Sequence, residues 1–588
     1  MRKLGILIVV ASFGAASVAA RSAELPWVTR SNENATVLLD VTAKYSPEQA
    51  SRIGLERYDE AITDFSRDWY ESENGDLRAA IAEYRRRLAG EADPKVRQDL
   101  EILIGAAQDN LASNVVNRKY FFPFTDVTRL VFDVVHATLD PRVPPARQQK
   151  LVKRLEKYAG LARGYRPVTL LAKERTLERI EANRSLLGPY AGEVEQVLAA
   201  SPAMVTGIKE LLERSKLKGW QRSYAALERQ LVAYSDWTRA AILPRARADH
   251  RLPPEVYADR LHQYGVDISP EELISRGLTS FAEIRNQMNI TAGLVAKERG
   301  LADSDYRAVI RKLKEQQIPR DELLPLYRDR LGRIEALIRE NRIVTLPSRS
   351  ASIRLATAAE NAQVPAPHLS PPRLIGNTGE YGEFVLATGM PPDASGKTLA
   401  YDDFSHQAML WTLIAHEARP GHELQYAKMV EAGVSTARAW FAHNSVNTEG
   451  WGLYAEAEMQ QYEPLDGQLF ALQARAHRAA RAFLDPMVKL GQIAPADVTT
   501  FFVEELGFSE GMATQEMQRY VFGAPGQATS YFYGYQRLME ARQAAQLALR
   551  GKFDRTAFND FVLAQGLLPP ALLRRAITEE FVPAHQLH

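Results

Sequence analysis

The 588-residue sequence contains no cysteine. This absence excludes disulfide bonds, cysteine nucleophiles, cysteine metal ligands and the lipidated cysteine that anchors bacterial lipoproteins. A chain of this length without disulfides depends on a hydrophobic core, and 46% of its residues are hydrophobic. We therefore expect a globular protein held together by its core, with a bound metal ion as one further source of stability.

The sequence also lacks an excess of charge of one sign, an internal repeat and a low-complexity tract. Its formal net charge is +1 at pH 7, so electrostatics give no reason to expect nucleic acid as a partner. Solenoid and disordered architectures are disfavoured because no repeat period or biased tract is present.

A long apolar run occurs only at the N-terminus. Residues 1–20, MRKLGILIVVASFGAASVAA, combine a basic start, an apolar run and small residues at Val18 and Ala20. This pattern is typical of a secretory signal peptide and predicts cleavage after Ala20. The alternative is an N-terminal membrane anchor, but the apolar run is shorter than the roughly 20 residues that a membrane span needs. We predict an exported protein, periplasmic or secreted, without a stable membrane anchor.

Most of the chain has the pattern of α-helices. Residues 221–243, QRSYAALERQLVAYSDWTRAAIL, place apolar residues at three-and-four spacing among strong helix formers. The tetrapeptide SPEE at residues 269–272 predicts a helix start, with serine as the cap and proline in the first turn. Residues 374–389, LIGNTGEYGEFVLATG, predict a small β-hairpin near residues 374–390. The predicted fold class is all-α, mainly helical, with this one hairpin.

Proline-rich breaks suggest how the chain is organised. Such breaks fall at residues 342–350 and 363–373. We predict a signal peptide over residues 1–20, an N-terminal helical region over 21–340 and a catalytic region over 341–588. The last two regions are expected to form one continuous body.

The segment AHEARPGHELQ, residues 415–425, is similar to the H-E-x-x-H signature of zinc peptidases but has a different spacing. His416 and His422 are six residues apart, which would leave them about 120° apart around an ideal helix. Pro420 has no N–H for the carbonyl of His416 and clashes with it, so the helix must kink or bulge. Gly421 supplies backbone freedom at the same point. The segment therefore predicts an interrupted helix that brings the two histidines together.

A hydrolytic zinc site needs three protein ligands and one open position for water. Glu449, 27 residues after His422 in NTEGWGLYAEAEM, is the candidate third ligand. Glu456 lies two turns later on the same face and is predicted to orient a histidine through the nitrogen that does not bind metal. Glu417, beside His416, is the candidate general base, which would take a proton from zinc-bound water. We expect one zinc ion per chain, although cobalt and manganese also suit this ligand set.

Three motifs together, HEARPGHELQ, EGWGLYAE and PGQATSYFYG, resemble the signature of the bacterial family called domain of unknown function 885. That family is similar to helical zinc peptidases such as thimet oligopeptidase and angiotensin-converting enzyme. Dipeptidyl peptidase III is a further analogy because it also carries an insertion within its histidine motif. The resemblance implies a mainly helical, clefted body, with zinc bound by His416, His422 and Glu449 and with Glu417 as the base.

The resemblance also implies a tyrosine that donates a hydrogen bond to the developing oxyanion. Tyr531 stands at the matching position in PGQATSYFYG, and Tyr533 and Tyr535 are alternatives. The competing interpretation is that these aromatic residues belong to the core. Arg519 and Arg537 are candidates for binding the terminal carboxylate of a peptide, and ordinary salt bridges are the alternative for both.

Several other polar residues lie near the motifs. His443 is a candidate substrate-binding residue because it lies close to the second motif in the chain. His406 is expected to be packed or solvated, and His368 is expected to lie on the surface. Members of the family that this chain resembles have an aspartate and, shortly after it, a Gly-x-His sequence. Here the aspartate is Asp485, but Gln492 stands where the histidine is expected. This departure implies a difference in substrate.

The predicted function is hydrolysis of short peptides by an exported zinc metallopeptidase of the carboxypeptidase or oligopeptidase type. One alternative is a zinc hydrolase of a non-standard amide or a cell-wall peptide. Another is a non-catalytic periplasmic metal-binding or scaffolding protein, which Glu417 disfavours because a structural zinc needs no acid beside its first ligand. We expect no nucleophilic serine, and a glycosidase mechanism has no role for the two histidines.

Overall fold

The computed structural model describes residues 25–357, 360–361, 364–377, 379–387, 389 and 399–586, without the side chain of Ala432. The predicted signal peptide lies outside the described residues. The prediction of a mainly helical fold is confirmed, since helices account for most of the described chain and strands for only three short segments.

The helices before residue 341 are α1 (Pro26–Tyr45), α2 (Pro47–Arg52), α3 (Trp69–Gly90), α4 (Pro94–Tyr120), α5 (Val127–Thr138), α6 (Pro145–Gln149), α7 (Leu151–Tyr158), α8 (Val168–Ala182), α9 (Ala191–Arg214), α10 (Gln221–Trp237), α11 (Pro254–Gln263), α12 (Pro270–Arg299), α13 (Tyr306–Lys314) and α14 (Arg320–Glu340).

The helices after residue 400 are α15 (Met409–Glu417), α16 (His422–Ala432), α17 (Ser445–Met459), α18 (Leu465–Lys489), α19 (Pro495–Glu504), α20 (Glu510–Gln518), α21 (Thr529–Leu549), α22 (Arg555–Ala564), α23 (Pro570–Ala576) and α24 (Val582–Gln586). A π-helical turn, Arg519–Gly523, directly follows α20.

The start predicted at residues 269–272 is confirmed by α12. The Ser269 hydroxyl oxygen accepts a hydrogen bond from the backbone N–H of Glu272 at 3.2 Å. Gly300 ends the helix with φ of 65°, a left-handed conformation that glycine adopts without steric cost.

The longest helices form the centre of the core. α12 packs along α18, and Gly277 of α12 lies so close to α18 that a Cβ there would be 3.0 Å from the carbonyl oxygen of Ala479. Phe281 and Phe483 pack edge to face nearby, with ring centres 5.7 Å apart. The same core cluster extends from α1 to Phe581 and so includes residues on both sides of residue 340. The division into regions at that residue stays a prediction.

A small three-stranded sheet lies beside the helices. Its strands are β1 (Ser352–Leu355), β2 (His368–Ser370) and β3 (Glu383–Leu386), in the order β1-β3-β2. β1 pairs with β3 in parallel, and β2 pairs with β3 antiparallel. A hairpin was predicted near residues 374–390. The second strand of that hairpin is observed as β3, but its antiparallel partner, β2, lies before residue 374. β2 is therefore an edge strand of this sheet.

Within the described ranges, no helix is both long enough and apolar enough to cross a membrane.

Candidate metal centre

The interruption predicted between His416 and His422 is confirmed. α15 ends at Glu417 and α16 begins at His422, with the Pro-Gly pair in the turn between them. The turn has no room for a larger residue than glycine, because a Cβ on Gly421 would lie 1.9 Å from the carbonyl oxygen of His416. Trp451 of α17 fixes the turn by donating its indole N–H to the carbonyl oxygen of Pro420 at 3.0 Å.

This turn brings the two histidines together, and α17 adds a glutamate. The ring centres of His416 and His422 are 4.6 Å apart, and the rings are nearly perpendicular. The Glu449 Oε2 atom is 3.6 Å from His416 Nε2 and 3.3 Å from His422 Nε2. The three potential ligand atoms all lie within 4.8 Å of one another. Two imidazoles and one carboxylate in such an arrangement fit the ligand set of a hydrolytic zinc ion.

The electrostatics of these groups also suit a cation. Burial lowers the pKa of His416, but hydrogen bonds to Glu449 and Glu456 outweigh it and raise that pKa to about 9. Burial opposes ionisation of Glu449, yet the two histidines hold its pKa well below the usual range. Negative charge is thus concentrated around the imidazoles, where a metal ion would replace the proton.

Glu456 holds His416 in position, as its place two turns after Glu449 predicts. Its Oε1 atom is 2.7 Å from His416 Nδ1, which leaves Nε2 facing Glu449. Thr412 donates to the other carboxylate oxygen at 2.9 Å, and Arg478 lies 3.2 Å from Oε1. Gly452 lies against the imidazole, since a Cβ there would be 2.6 Å from His416 Cε1. These contacts restrict the ring to one orientation.

Glu417 lies beside the candidate metal ligands and contacts the edge strand. The backbone N–H of Leu369 in β2 donates to Glu417 Oε2 at 2.9 Å. This bond shows that the Leu369 N–H points away from β3 and toward the site. The contact places the carboxylate in the wall of the same space that the histidines line.

That space is a cavity of about 820 Å³. His416, His422, Glu449 and Glu417 lie in its wall, together with Tyr531. A cavity of this size accommodates a short peptide or another small ligand. The candidate metal ligands are therefore accessible from the cavity.

Tyr531 is the only one of the three candidate tyrosines that lines this cavity. Its ring is nearly parallel to the His416 ring, with centres 6.2 Å apart. Arg519 donates to the Tyr531 hydroxyl oxygen at 3.2 Å, so the tyrosine O–H remains available as a donor. Tyr533 instead donates to Asp267, and the Tyr535 ring packs against the Arg475 guanidinium.

Three arginines surround the Tyr531 ring. The guanidinium carbons of Arg478, Arg481 and Arg519 lie 5.8, 4.4 and 5.5 Å from its centre. Glu516 neutralises part of this charge, because Arg481 donates to both of its carboxylate oxygens at 2.8 and 2.6 Å. The sequence motifs pointed to Arg519 but not to the other two.

The remaining candidates take different positions. Arg537 pairs with Glu540 at 2.6 Å and lies outside the cavity, so its salt-bridge interpretation is the one observed. His443 lines the cavity and is solvent-exposed there, and desolvation by the surrounding protein lowers its pKa. His406 is buried and packs on Phe470, as expected.

His368 and Tyr426 are further cavity residues that the sequence did not indicate. His368 was expected on the surface, but it lies in the cavity wall because β2 borders the site. Tyr426, one turn after His422, also lines the cavity, and burial together with the charge of Glu449 raises its pKa to about 12. The helical spacing from His422 was a signal that would have found Tyr426.

Asp485 and Gln492, where the sequence differs from the family pattern, do not line the cavity. Asp485 is buried and accepts hydrogen bonds from Tyr257 at 2.9 Å and from the backbone N–H of Gly526 at 2.9 Å. It therefore fixes the turn that precedes Tyr531. Gln492 is exposed and does not line the cavity, so its identity has no direct contact through which to alter substrate binding.

A G-x-S-x-G pattern, the pattern of a serine nucleophile, occurs at residues 507–511. Ser509 serves a different purpose here. It is the N-cap of α20, where its oxygen accepts from the Met512 N–H at 3.2 Å, and its hydroxyl donates to Asp403. A histidine base is not among its described partners.

Fold and site together define a mainly helical protein with a two-histidine, one-glutamate candidate metal centre in a central cavity. The chain belongs to the family described as "Bacterial protein of unknown function (DUF885)", whose sequence profile matches residues 47–577. No curated protein matches the chain.

Two solved structures share the fold. One is described as a "putative lipoprotein" from Colwellia psychrerythraea, with 18% identity and a TM-score of 0.73, covering 95% of this chain and 100% of its own. The other is described as a "putative lipoprotein of unknown function" from Shewanella oneidensis, with 15% identity and a TM-score of 0.71, covering 94% of this chain and 100% of its own. A Bacillus anthracis protein described as a "putative oligoendopeptidase F" matches at 11% identity over 87% of this chain and 96% of its own. Its TM-score of 0.27 is too low to indicate a shared fold.

Proposed function

We propose that this chain is an exported zinc-dependent hydrolase of short peptides. The observation that supports this most directly is the convergence of His416, His422 and Glu449 on one point of a substrate-sized cavity. Glu417 in the same wall supplies the acid that a hydrolytic site needs and a structural metal site does not.

Zinc in this site would act as a Lewis acid that polarises the scissile carbonyl and lowers the pKa of water. Glu417 accepts the proton of the attacking water and transfers it to the leaving amine. Its hydrogen bond from Leu369 holds the carboxylate in place for both transfers. No covalent bond to the protein forms in this reaction.

Tyr531 stabilises the negative charge that develops on the carbonyl oxygen. Because Arg519 already donates to the tyrosine oxygen, the O–H proton is left for the substrate. Arg519 also stabilises the electron-rich oxygen of that hydroxyl as it donates. An oriented donor in a site shielded from water is the usual means of such stabilisation.

The arginines around Tyr531 favour a substrate with a free carboxylate. Arg478, Arg481 and Arg519 carry three positive charges, and their carboxylate partners Glu456 and Glu516 carry two negative charges. Arg519 is the most accessible of the three, with 26% of its side chain exposed against 15% for Arg478 and 6% for Arg481. We infer that Arg519 binds the terminal carboxylate of a peptide, which makes carboxypeptidase or short oligopeptidase activity the expected outcome.

Export is proposed from the N-terminal pattern and from the description of the two structural neighbours as "putative" lipoproteins. We propose that the signal peptide is cleaved after Ala20, which gives a periplasmic or secreted protein. N-terminal sequencing of the protein from a periplasmic extract tests this, and a mature chain that begins at Arg21 is expected.

The activity is tested by mass-spectrometric digestion of a defined peptide library with zinc-loaded wild type and Glu417→Gln. We expect cleavage by the wild type alone, with fragments that reveal whether residues leave from the carboxyl end. Tyr531→Phe should cleave the same bonds more slowly. Cleavage by neither protein, with zinc bound to both, would reject peptides as substrates and favour a non-standard amide or a non-catalytic metal site.

A further inference from the structure

A second pocket, of about 500 Å³, adjoins the catalytic cavity and is lined by an unusual number of arginines. The six arginines in its wall come from helices α4, α8 and α11 and from the segments between helices, and they face only two acidic residues in that wall. They are Arg67, Arg118, Arg175, Arg179, Arg247 and Arg260, and the two acids are Glu178 and Glu193.

Three of the six arginines have a carboxylate partner, and the other three have none among the described residues. Glu178 pairs with Arg67 at 3.0 Å and with Arg175 at 2.8 Å, and Arg118 pairs at 3.4 Å with Glu71, which lies outside the pocket wall. Within the described part of the chain, Arg179, Arg247 and Arg260 form no ion pair. Arg179 donates to a backbone carbonyl at 3.0 Å, and Arg260 donates to the Asn117 side chain at 3.4 Å.

Two of these guanidinium groups are also incompletely hydrogen-bonded. The Nε atoms of Arg179 and Arg247 are buried and have no acceptor among the described residues. Burial lowers the pKa of Arg179, and the neighbouring charge of Arg118 lowers it further. Charged donors that are buried without acceptors are costly, and an anionic ligand would remove that cost.

Aromatic side chains form much of the remaining wall. They include Trp69, Tyr70, Phe121, Phe122 and Tyr264. The Arg118 guanidinium lies over the Tyr70 ring, 4.5 Å from its centre. A wall of arginines and aromatic rings suits an anion that also has a carbon skeleton, such as an acidic amino-acid side chain.

The pocket is continuous with the wall of the catalytic cavity. Phe522, Gly523 and Ala524 line both spaces, and they follow Arg519 in the same short segment. Helix α9 contributes to both as well, with Glu193 in the pocket and Gln196, one turn later, in the cavity. A ligand in the catalytic cavity therefore has a neighbouring site for its charged extension.

We propose that this arginine-lined pocket binds acidic side chains of the peptide that occupies the catalytic cavity. The preferred substrates are then peptides with several aspartate or glutamate residues away from the bond that is cut. This inference rests on the proposed function for the identity of the ligand as a peptide, but binding in the pocket requires no catalysis.

The test measures binding rather than turnover. The full chain carrying Glu417→Gln is titrated by calorimetry with a short peptide that contains three glutamates and with its counterpart that contains three glutamines. We expect the glutamate peptide to bind at least about tenfold more tightly at low salt, because charge-assisted hydrogen bonds to arginine differ from neutral ones by about that factor. The preference should shrink as salt is added.

Arg179→Gln/Arg260→Gln in the same background should remove most of this preference. Arg222→Gln, an exposed arginine on α10 outside the pocket, is the matched control and should retain it. If the double variant does not fold, Arg67→Gln replaces it, since 82% of that side chain is exposed, and should lower the preference about threefold.

Equal binding of the two peptides to the unaltered pocket would overturn the proposal. So would a preference that survives the arginine substitutions. If inorganic phosphate binds but the two peptides bind equally, the pocket is a site for small free anions, and the proposal is also overturned. A protein that prefers the glutamate peptide but cleaves no peptide would retain this inference for binding and reject the proposed hydrolysis.

Discussion

Gly450 of α17 and Gly534 of α21 touch backbone to backbone. A Cβ on Gly450 would lie 2.7 Å from the Cα of Gly534, and a Cβ on Gly534 would lie 2.0 Å from the carbonyl oxygen of Val446. The two helices carry Glu449 and Tyr531, which both face the cavity. The glycine contact therefore sets the distance between the candidate metal ligand and the candidate oxyanion donor.

Gly534→Ala should destabilise the protein and weaken zinc binding. The added methyl group meets the backbone of α17, which cannot move aside as a flexible side chain would, so we expect a loss of about 3 kcal/mol in the free energy of unfolding. Gly293→Ala on α12 is the control, because nothing lies within 4 Å of its Cβ position. That variant should gain about 0.5–1 kcal/mol. Urea denaturation measures both, and equal stabilities would contradict the close packing.

Glu456→Gln should lower zinc affinity without removing a ligand. The glutamine keeps its size but loses the negative charge beside His416 Nδ1, and removal of such a partner costs about 10–100-fold in metal affinity. Competition with a chelator measures the change. Glu504→Gln, at an exposed position on α19, should bind zinc as the wild type does. An unchanged affinity in Glu456→Gln would show that Glu456 does not support the site.

Arg519→Gln should raise KM selectively for peptides with a free carboxyl terminus. The loss of a charge-assisted hydrogen bond to the carboxylate predicts an increase of about tenfold or more, whereas peptides with an amidated terminus should show a much smaller change. Arg537→Gln is the control, because Arg537 pairs with Glu540 outside the cavity. A similar effect on both kinds of peptide would reject Arg519 as the carboxylate-binding residue.

His406 should make the protein sensitive to acid. Burial, with the nearby charge of Lys314, lowers the pKa of His406 to about 3, so the folded state excludes a proton that the unfolded state binds below about pH 6.5. The stability is fully present above pH 6.5 and falls by about 1.4 kcal/mol for each pH unit between 6.5 and 3.

His406→Phe removes this dependence and preserves an aromatic ring against Phe470. As pH falls from 6.5 to 4, the free energy of unfolding of the wild type should therefore decrease more than that of the variant. Urea denaturation across that range tests the prediction, and two curves that stay parallel would contradict it.

The sequence was sufficient for the parts of the site that lie in continuous motifs. The Pro-Gly pair between His416 and His422 indicated an interrupted helix because proline cannot continue the hydrogen bonding of α15. The seven-residue step from Glu449 to Glu456 indicated a shared helix face, and Glu456 indeed bonds His416. Both inferences depend only on local helix geometry.

Other parts of the site depend on contacts between distant segments. The Leu369 N–H reaches Glu417 because β2 lies at the edge of the sheet. The sequence predicted a two-stranded hairpin and did not indicate β1. Arg478 and Arg481 face Tyr531 because α18 packs against α21, and nothing in their own segment distinguishes them from surface arginines. Such residues become recognisable only when the packing of the helices is known.

The number of zinc ions bound per chain tests the central claim most directly. Wild type, Glu417→Gln and His443→Ala should each bind one zinc ion in a titration with metal analysis, because neither Glu417 nor His443 is a proposed ligand. His422→Ala and Glu449→Ala should bind zinc at least about 100-fold more weakly while remaining folded. A wild type that binds no zinc, or ligand variants that bind it as tightly as wild type, would contradict the metal centre and with it the proposed hydrolysis.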